Sequence, residues 1–209
     1  MTTAPLPPHI LARHDLLSYC GLMQSDFRAP PHIRLLAGKL EDVEAGRIKR
    51  LIVNLPPRHG KSWLISRLFP SWYMGRHPNH QVMNACHTAD LAVDFGRDVR
   101  DFIEEETYQQ IFPGVRCKQD SKAAHRFHVT GPSRTPGVYK ALGRTTKKAG
   151  RGAHLLLVDD LLDEQEIYSD AAKEQARRAV RGLRTRLMPG GAIVFIMSRC
   201  GEDDPVGYA

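Results

Sequence analysis

The run Leu51-Ile-Val-Asn-Leu-Pro-Pro-Arg-His-Gly-Lys-Ser62 constrains this chain more than any other segment. Its β-branched start, Leu51 to Val53, predicts a strand. Pro56-Pro57 then turns the chain, and Gly60-Lys61-Ser62 leads directly into an apolar helical pattern at Trp63, Leu64, Ile65, Leu68 and Phe69. A glycine-containing loop between a strand and a helix is the setting in which backbone N–H groups cradle phosphate oxygens. Read so, Pro57, Arg58, His59 and Gly60 form a nucleotide-binding loop. Lys61 neutralises the β- and γ-phosphates, and the Ser62 hydroxyl ligates Mg²⁺. The first glycine of the G-x-x-x-x-G-K-[ST] pattern is replaced by Leu55.

A second segment completes the chemistry. His154-Leu-Leu-Leu-Val-Asp-Asp160 is an apolar run ending in paired carboxylates, the pattern of a buried parallel strand that delivers acids at its C-terminal edge. Open α/β sheets bind their ligands at that edge. Asp159 is then expected to hold Mg²⁺ opposite Ser62, and Asp160 to orient or deprotonate the attacking water. Either segment alone would also suit a structural turn. Together they make nucleoside triphosphate hydrolysis the leading reading, with ATP and Mg²⁺ as the cofactors.

At 209 residues, 42% hydrophobic and 25% charged, the chain has the composition of one sizeable α/β core with a small N-terminal addition. No apolar stretch approaches the roughly 20 residues that span a bilayer, and Met1 to Pro8 lacks the features of a secretory signal. Cys20, Cys86, Cys117 and Cys200 lie far apart, which suggests reduced thiols in a cytoplasm. The ten histidines are scattered; His77, His80 and His87 are the nearest group, and a packing or surface role is expected of them. The net charge of +7 is uneven, with ten Lys/Arg against Asp120 between residues 116 and 151. Within that stretch Gly143-Arg-Thr-Thr-Lys-Lys-Ala-Gly-Arg-Gly152 is a basic loop that would suit a polyanion, or would simply be solvated.

The remaining pattern alternates helices and strands, which predicts a mainly parallel, doubly wound sheet. Helices are expected around Ile10 to Leu22, over His32 to Ala45, from Lys61 to about Met74, over Thr88 to Glu106 with Thr88 as N-cap, and over Ser169 to Leu187. Strands are expected at Arg50 to Asn54, Gln81 to Cys86, Arg126 to Thr130, Val138 to Leu142, His154 to Asp160 and Ala192 to Ser198, the last after a Pro189-Gly190-Gly191 turn.

From about His32 to Gly207 the ensemble resembles the ATPase domain of the large terminase subunit, the DNA-packaging motor of tailed bacteriophages. The resemblance rests on Arg47-Ile-Lys-Arg-Leu-Ile-Val-Asn-Leu-Pro-Pro-Arg-His-Gly-Lys-Ser62, Phe69-Pro-Ser-Trp-Tyr-Met-Gly-Arg76, Gly150-Arg-Gly-Ala-His154 before Asp159-Asp160, and Thr185-Arg-Leu-Met-Pro-Gly-Gly191. It implies an α/β P-loop NTPase of the additional-strand type with flanking helices: an N-terminal helical segment over residues 1–46 packs on an ATPase core over residues 47–209. It also implies ATP-driven translocation of double-stranded DNA by a homo-oligomeric ring on the portal of a procapsid, in the bacterial host cytoplasm, with a small terminase subunit as partner. In the resembled pattern Arg58 is a further phosphate-sensing arginine, and Ser198-Arg199 is the coupling motif, with Cys200-Gly201 where relatives typically read Trp-His. An arginine acting on a neighbouring subunit is also implied, with Arg144 and Arg151 as candidates; separately, if the basic loop touches DNA, Lys147 and Lys148 are the expected contacts. Relatives often carry Glu after the Mg²⁺-binding Asp; here Asp160 is the expected base, with Glu164 or Glu166 as alternatives. The nuclease domain that usually follows is not seen in these 209 residues, so no nuclease activity is expected of this chain. A helicase-like DNA-handling ATPase and a catalytically weak remnant remain the competing readings.

Overall fold

The structure, a computed structural model, describes residues 6–146, 152–163, 165–166 and 168–198. Three helices come first: α1 (Pro8–His14), α2 (Leu16–Met23) and α3 (Pro31–Glu44). The expected helix at Ile10 to Leu22 is broken at Asp15, whose carboxylate leaves α1 to cap α2 by accepting the Ser18 N–H at 2.6 Å. Next come β1 (Arg50–Asn54), α4 (Lys61–Trp63), a π-helical turn Leu64–Leu68, α5 (Phe69–Arg76), β2 (Gln81–Cys86), α6 (Ala89–Glu104) and α7 (Glu106–Ile111). Thr88 does cap α6, accepting the Leu91 N–H at 3.3 Å. The last described elements are β3 (Arg116–Ala123), β4 (Arg126–Thr130), β5 (Gly137–Gly143), β6 (Ala153–Asp159), α8 (Asp170–Arg184) and β7 (Leu187–Met197).

The seven strands form one sheet in the order β1-β7-β6-β2-β5-β4-β3. β1, β7, β6, β2 and β5 run parallel, and β4 and β3 extend the sheet antiparallel. β7 thus stands between the strand that enters the loop and the strand that ends in the acids. The parallel strands finish level with one another, since Asn54 pairs with Met197, Asp159 with Ile196, and Cys86 with Asp159. That register gathers the loop, both carboxylates and Ser198 at one edge.

Two strands also differ from the sequence reading. β3, with its Arg-Cys-Lys-Gln-Asp-Ser-Lys-Ala sequence, carries no apolar alternation strong enough to announce a strand; it is the exposed outer strand, where charge discourages further pairing. Pro189-Gly190-Gly191 lies inside β7, where the pairing with β6 shifts register between Ala153 and Leu155. Gly190 takes a φ of +79°, and a Cβ on Gly191 would sit 2.8 Å from the Ala153 carbonyl, so glycine makes this bulge possible.

The core lies on both faces of the sheet. On one face the N-terminal helices share it with α5 and α7: the Tyr19 hydroxyl meets Ser71 Oγ at 2.7 Å, and Trp72 Nε1 donates to the Ala12 carbonyl at 2.9 Å. On the other, Ala176, Ala179, Val180 and Leu183 of α8 cover Leu156, Val158, Ile193 and Phe195. Among the described residues no helix is long and apolar enough to cross a membrane.

At the edge opposite the acids, the rings of His77, His80 and His154 stack, with centroids 4.6 Å and 4.1 Å apart and planes within 8° and 7° of parallel. Tyr73 Oη lies 2.8 Å from His80 Nδ1, and the Gln81 N–H donates to His154 Nδ1 at 2.9 Å. Burial, reinforced by the neighbouring imidazoles, pushes His80 down to about 4 and lowers His154; Glu44, beside His77, pulls His80 the other way. A histidine held below its ordinary value of 6.5 favours the fold only while neutral. Its contribution is complete above 6.5 and is lost as pH falls towards 4. The urea midpoint is therefore expected to drop between pH 7 and pH 5, and His80→Gln to shrink that drop. An equal drop in the variant would remove the stack as its cause.

Candidate active site

The segment between β1 and α4 is held in an uncommon backbone. Arg58 and Gly60 both lie in the left-handed region, at φ of +62° and +77°. At Gly60 this conformation comes without a Cβ penalty, and it delivers the chain to the start of α4 with Lys61 turned inward. Lys61 is only 6% exposed. Its Nζ donates to Ser198 Oγ at 2.7 Å and lies 3.5 Å from Asp160 Oδ2.

Asp159 closes the other half of the site from the end of β6. Ser62 Oγ donates to its Oδ1 at 3.2 Å, and Ser66 Oγ to its Oδ2 at 2.6 Å. Burial, at 2% exposure, pushes the carboxyl up to about 6, and the adjacent Asp160 adds to the rise. The hydroxyls of Ser66 and Ser62 and the Lys61 ammonium pull the other way.

The strand stops at Asp159, and Asp160 stands just beyond it with a φ of +40°. Its N–H donates to the Ile196 carbonyl at 3.0 Å, and its Oδ1 accepts the Ser198 N–H at 3.2 Å. Asp160 is thereby fastened to the tip of β7. A cleft of about 250 Å³ opens here, lined by Pro57, Lys61, His87, Leu91, Asp160, Leu162, Asp163 and Ser198. Among the described residues His87 Nδ1 is buried without a hydrogen-bond partner.

Ser66 was not apparent from the sequence, and it depends on the π turn. Pro70 has no N–H for the carbonyl four residues before it, that of Ser66, and the buried Asn84 on β2 donates its Nδ2 to that oxygen at 3.3 Å. The wider turn ends with Phe69 N–H on the Leu64 carbonyl and keeps the Ser66 side chain on Asp159. Ser62 and Ser66, four apart in a helical pattern facing an acidic strand, were the available signal. Asn84, a buried polar residue in the middle of a mostly apolar strand, was another. His87 and Asp163 reach the cleft only through the fold.

Of the other expected site residues, Arg58 and His59 border a second cavity of about 500 Å³ on the N-terminal side of the loop, with Gly60, Trp63, Phe27 and Ile33 among its walls. Arg58 does not line the cleft that holds Asp160. Arg144 is mostly buried and makes a bidentate pair with Glu166, at 2.6 and 2.7 Å. Lys147, Lys148, Arg151, Glu164, Arg199 and Cys200 lie outside the described residues.

Residues 52–187 match the family model described as terminase large subunit, T4likevirus-type, N-terminal. The fold is similar to that of the large terminase of bacteriophage HK97, with a TM-score of 0.57 at 15% identity over 87% of this chain. It is also similar to the ATPase domain of the Thermus phage P74-26 large terminase, with a TM-score of 0.53 at 16% identity, covering 84% of this chain and 71% of that domain. The chain spans 36% of the HK97 protein. No curated protein matches it in sequence.

Ser66→Ala takes one of two hydroxyls from a buried carboxylate. It is expected to cost about 1–3 kcal/mol of unfolding free energy at pH 8, read by urea denaturation. A carboxyl raised to about 6 weighs against the fold as pH climbs from its ordinary 3.8 through 6. The loss should therefore shrink at pH 5, where the proton itself relieves the buried charge. A loss that does not change with pH would detach it from Asp159.

Proposed function

We propose that this chain, which belongs to the terminase large-subunit family, is a P-loop ATPase whose hydrolysis of Mg·ATP drives double-stranded DNA into a viral procapsid. The observation that carries the reading is a single hydrogen-bonded network. Ser62 and Ser66 converge on Asp159 while Lys61 bridges Asp160 and Ser198, so the loop, the acidic strand and the tip of β7 meet around one cleft. The unpartnered His87 Nδ1 on the cleft wall is suited to a polar ligand.

The donor set fits a hard divalent cation: Ser62 Oγ and Asp159 Oδ1 are oxygen ligands 3.2 Å apart. Mg²⁺ held there would neutralise charge on the β- and γ-phosphates. Lys61 has a competing acceptor in Ser198, and a triphosphate oxygen would draw its ammonium away from that hydroxyl. Asp160 is the general base, with its carboxylate held by the Ser198 N–H and facing the cleft. Ser198 thus touches both the phosphate-binding Lys61 and the base, which suits it to couple nucleotide state to the end of β7, with Arg199 beyond it.

The second cavity takes the purine, between the aromatic walls offered by Trp63 and Phe27. Arg58, exposed at the loop between the two spaces, is the further phosphate contact. A ring of such chains on a portal, an arginine supplied across subunits by Arg151, and DNA contacts from Lys147 and Lys148 belong to the same reading. So do a small terminase subunit as partner and action in the bacterial cytoplasm.

Lys61→Ala should abolish ATP turnover in a steady-state phosphate-release assay; wild-type turnover in that variant would sink the site. Asp160→Asn should leave Mg·ATP binding within a few-fold of wild type while removing hydrolysis, and unchanged hydrolysis would move the base elsewhere. Trp63→Ala should raise the KM for ATP about tenfold with little change in kcat, through the lost stacking on the base; an unchanged KM would empty the second cavity of this role.

A further inference from the structure

Arg144 sits just past the end of β5 and does not face solvent: its side chain is 9% exposed. Nη1 and Nη2 donate to the two carboxylate oxygens of Glu166, at 2.6 and 2.7 Å, and Nη1 donates again to the Leu161 carbonyl at 2.8 Å. Glu166 Oε2 also accepts the Asp163 N–H at 3.2 Å, and the Glu166 N–H donates to the Asp163 carbonyl at 2.9 Å. The Arg144 guanidinium holds the Glu166 carboxyl below its ordinary range. One side chain just past β5 therefore secures several points of the segment that follows Asp160.

That segment needs securing. Asp160 holds a left-handed backbone, which strains a non-glycine residue and persists only where the surroundings over-determine it. Leu161 follows at once, and Leu162 and Asp163 line the cleft. Leu161 and Leu162 are buried against the α8 side of the core, so the segment stays folded without the arginine. What the apolar anchors do not fix is the angle at which the segment leaves Asp160. The bidentate pair is placed to fix it.

We propose that Arg144 is a positioning residue that acts within its own chain, clamping Leu161 directly and Asp163 through Glu166 so that Asp160 holds its working geometry. The inference rests on the reading of the cleft as an ATPase site. It also assigns Arg144 a different role from an arginine that reaches a neighbouring subunit, because Nη1 and Nη2 already hold Glu166 and the Leu161 carbonyl inside the chain and the side chain is 9% exposed.

The test is steady-state ATP hydrolysis by the full chain carrying Arg144→Ala, Glu166→Gln, or the exchange Arg144→Glu with Glu166→Arg. Both single variants should lose at least about tenfold in kcat with KM little changed, the signature of a misplaced base with intact phosphate binding. The exchange should recover part of that loss. Mixing Arg144→Ala with Lys61→Ala protein should restore nothing. Restored turnover in the mixture would show the arginine working across subunits and overturn the clamp, as would full activity in either single variant. Wild-type protein lacking any Lys61-dependent turnover would defeat the ATPase reading instead. The clamp is then judged by hydrogen exchange at the Asp163 amide, which should quicken in Arg144→Ala; unchanged exchange would overturn it.

Discussion

The structure depends on a carboxylate kept where water does not reach. Asp159 is buried at the end of the central strand β6, and an isolated charge in such a place is costly enough that it would normally give up its ionisation. Two serine hydroxyls and a nearly buried lysine provide its compensation, and each comes from the helical segment that follows the loop. That segment must therefore dock at one depth and one rotation against the sheet. The loop's left-handed Arg58 and Gly60 and the level ends of the parallel strands all serve that requirement.

An unbroken α-helix is not what the chain uses here. Pro70 deprives the Ser66 carbonyl of its ordinary partner, and the sheet supplies another through Asn84. The π turn then keeps one serine below the other against the same carboxylate. A polar residue in the middle of β2, a proline in the first turn of α5 and a serine in an apolar run look like three separate exceptions in the sequence. In the fold they form one arrangement, each compensating for the next.

What could be read from the sequence follows the range of the interactions involved. β1, β2, β4, β5 and β6 and the Thr88 cap are set by local alternation and capping chemistry, and they lie where the residues predicted them. Lys61, Ser62, Asp159 and Asp160 were legible because a strand–loop–helix and an acid-ended strand carry their geometry with them. The bulge in β7 was not, since it answers to a register with β6 that no local signal encodes. Part of the basic stretch from residue 116 onward is neutralised by pairing within the fold. Summed along the chain it is one patch; in space Lys122 pairs with Glu104, Lys118 with Asp120, and Arg144 turns inward to Glu166. Charge along a sequence becomes a field only after the fold has decided which charges are paired.

The balance of charge at the cleft bears on what can enter it. Lys61 faces two adjoining carboxylates, Asp159 and Asp160, and Asp163 stands on the same wall, so the acids outnumber the one ammonium. A bare polyphosphate would bring further negative charge to carboxylates already short of cations, one of them in a poorly solvated position where repulsion is felt most. On the proposed reading, the nucleotide is admitted with its divalent cation, which would meet Asp159 and Ser62 while Lys61 turns from Ser198 to phosphate. The same exchange would loosen Ser198 from Lys61 but leave its N–H on Asp160, so the tip of β7 would stay tied to Asp160 as the lysine moves. Coupling between nucleotide and strand would then begin with the choice of acceptor made by a single buried ammonium.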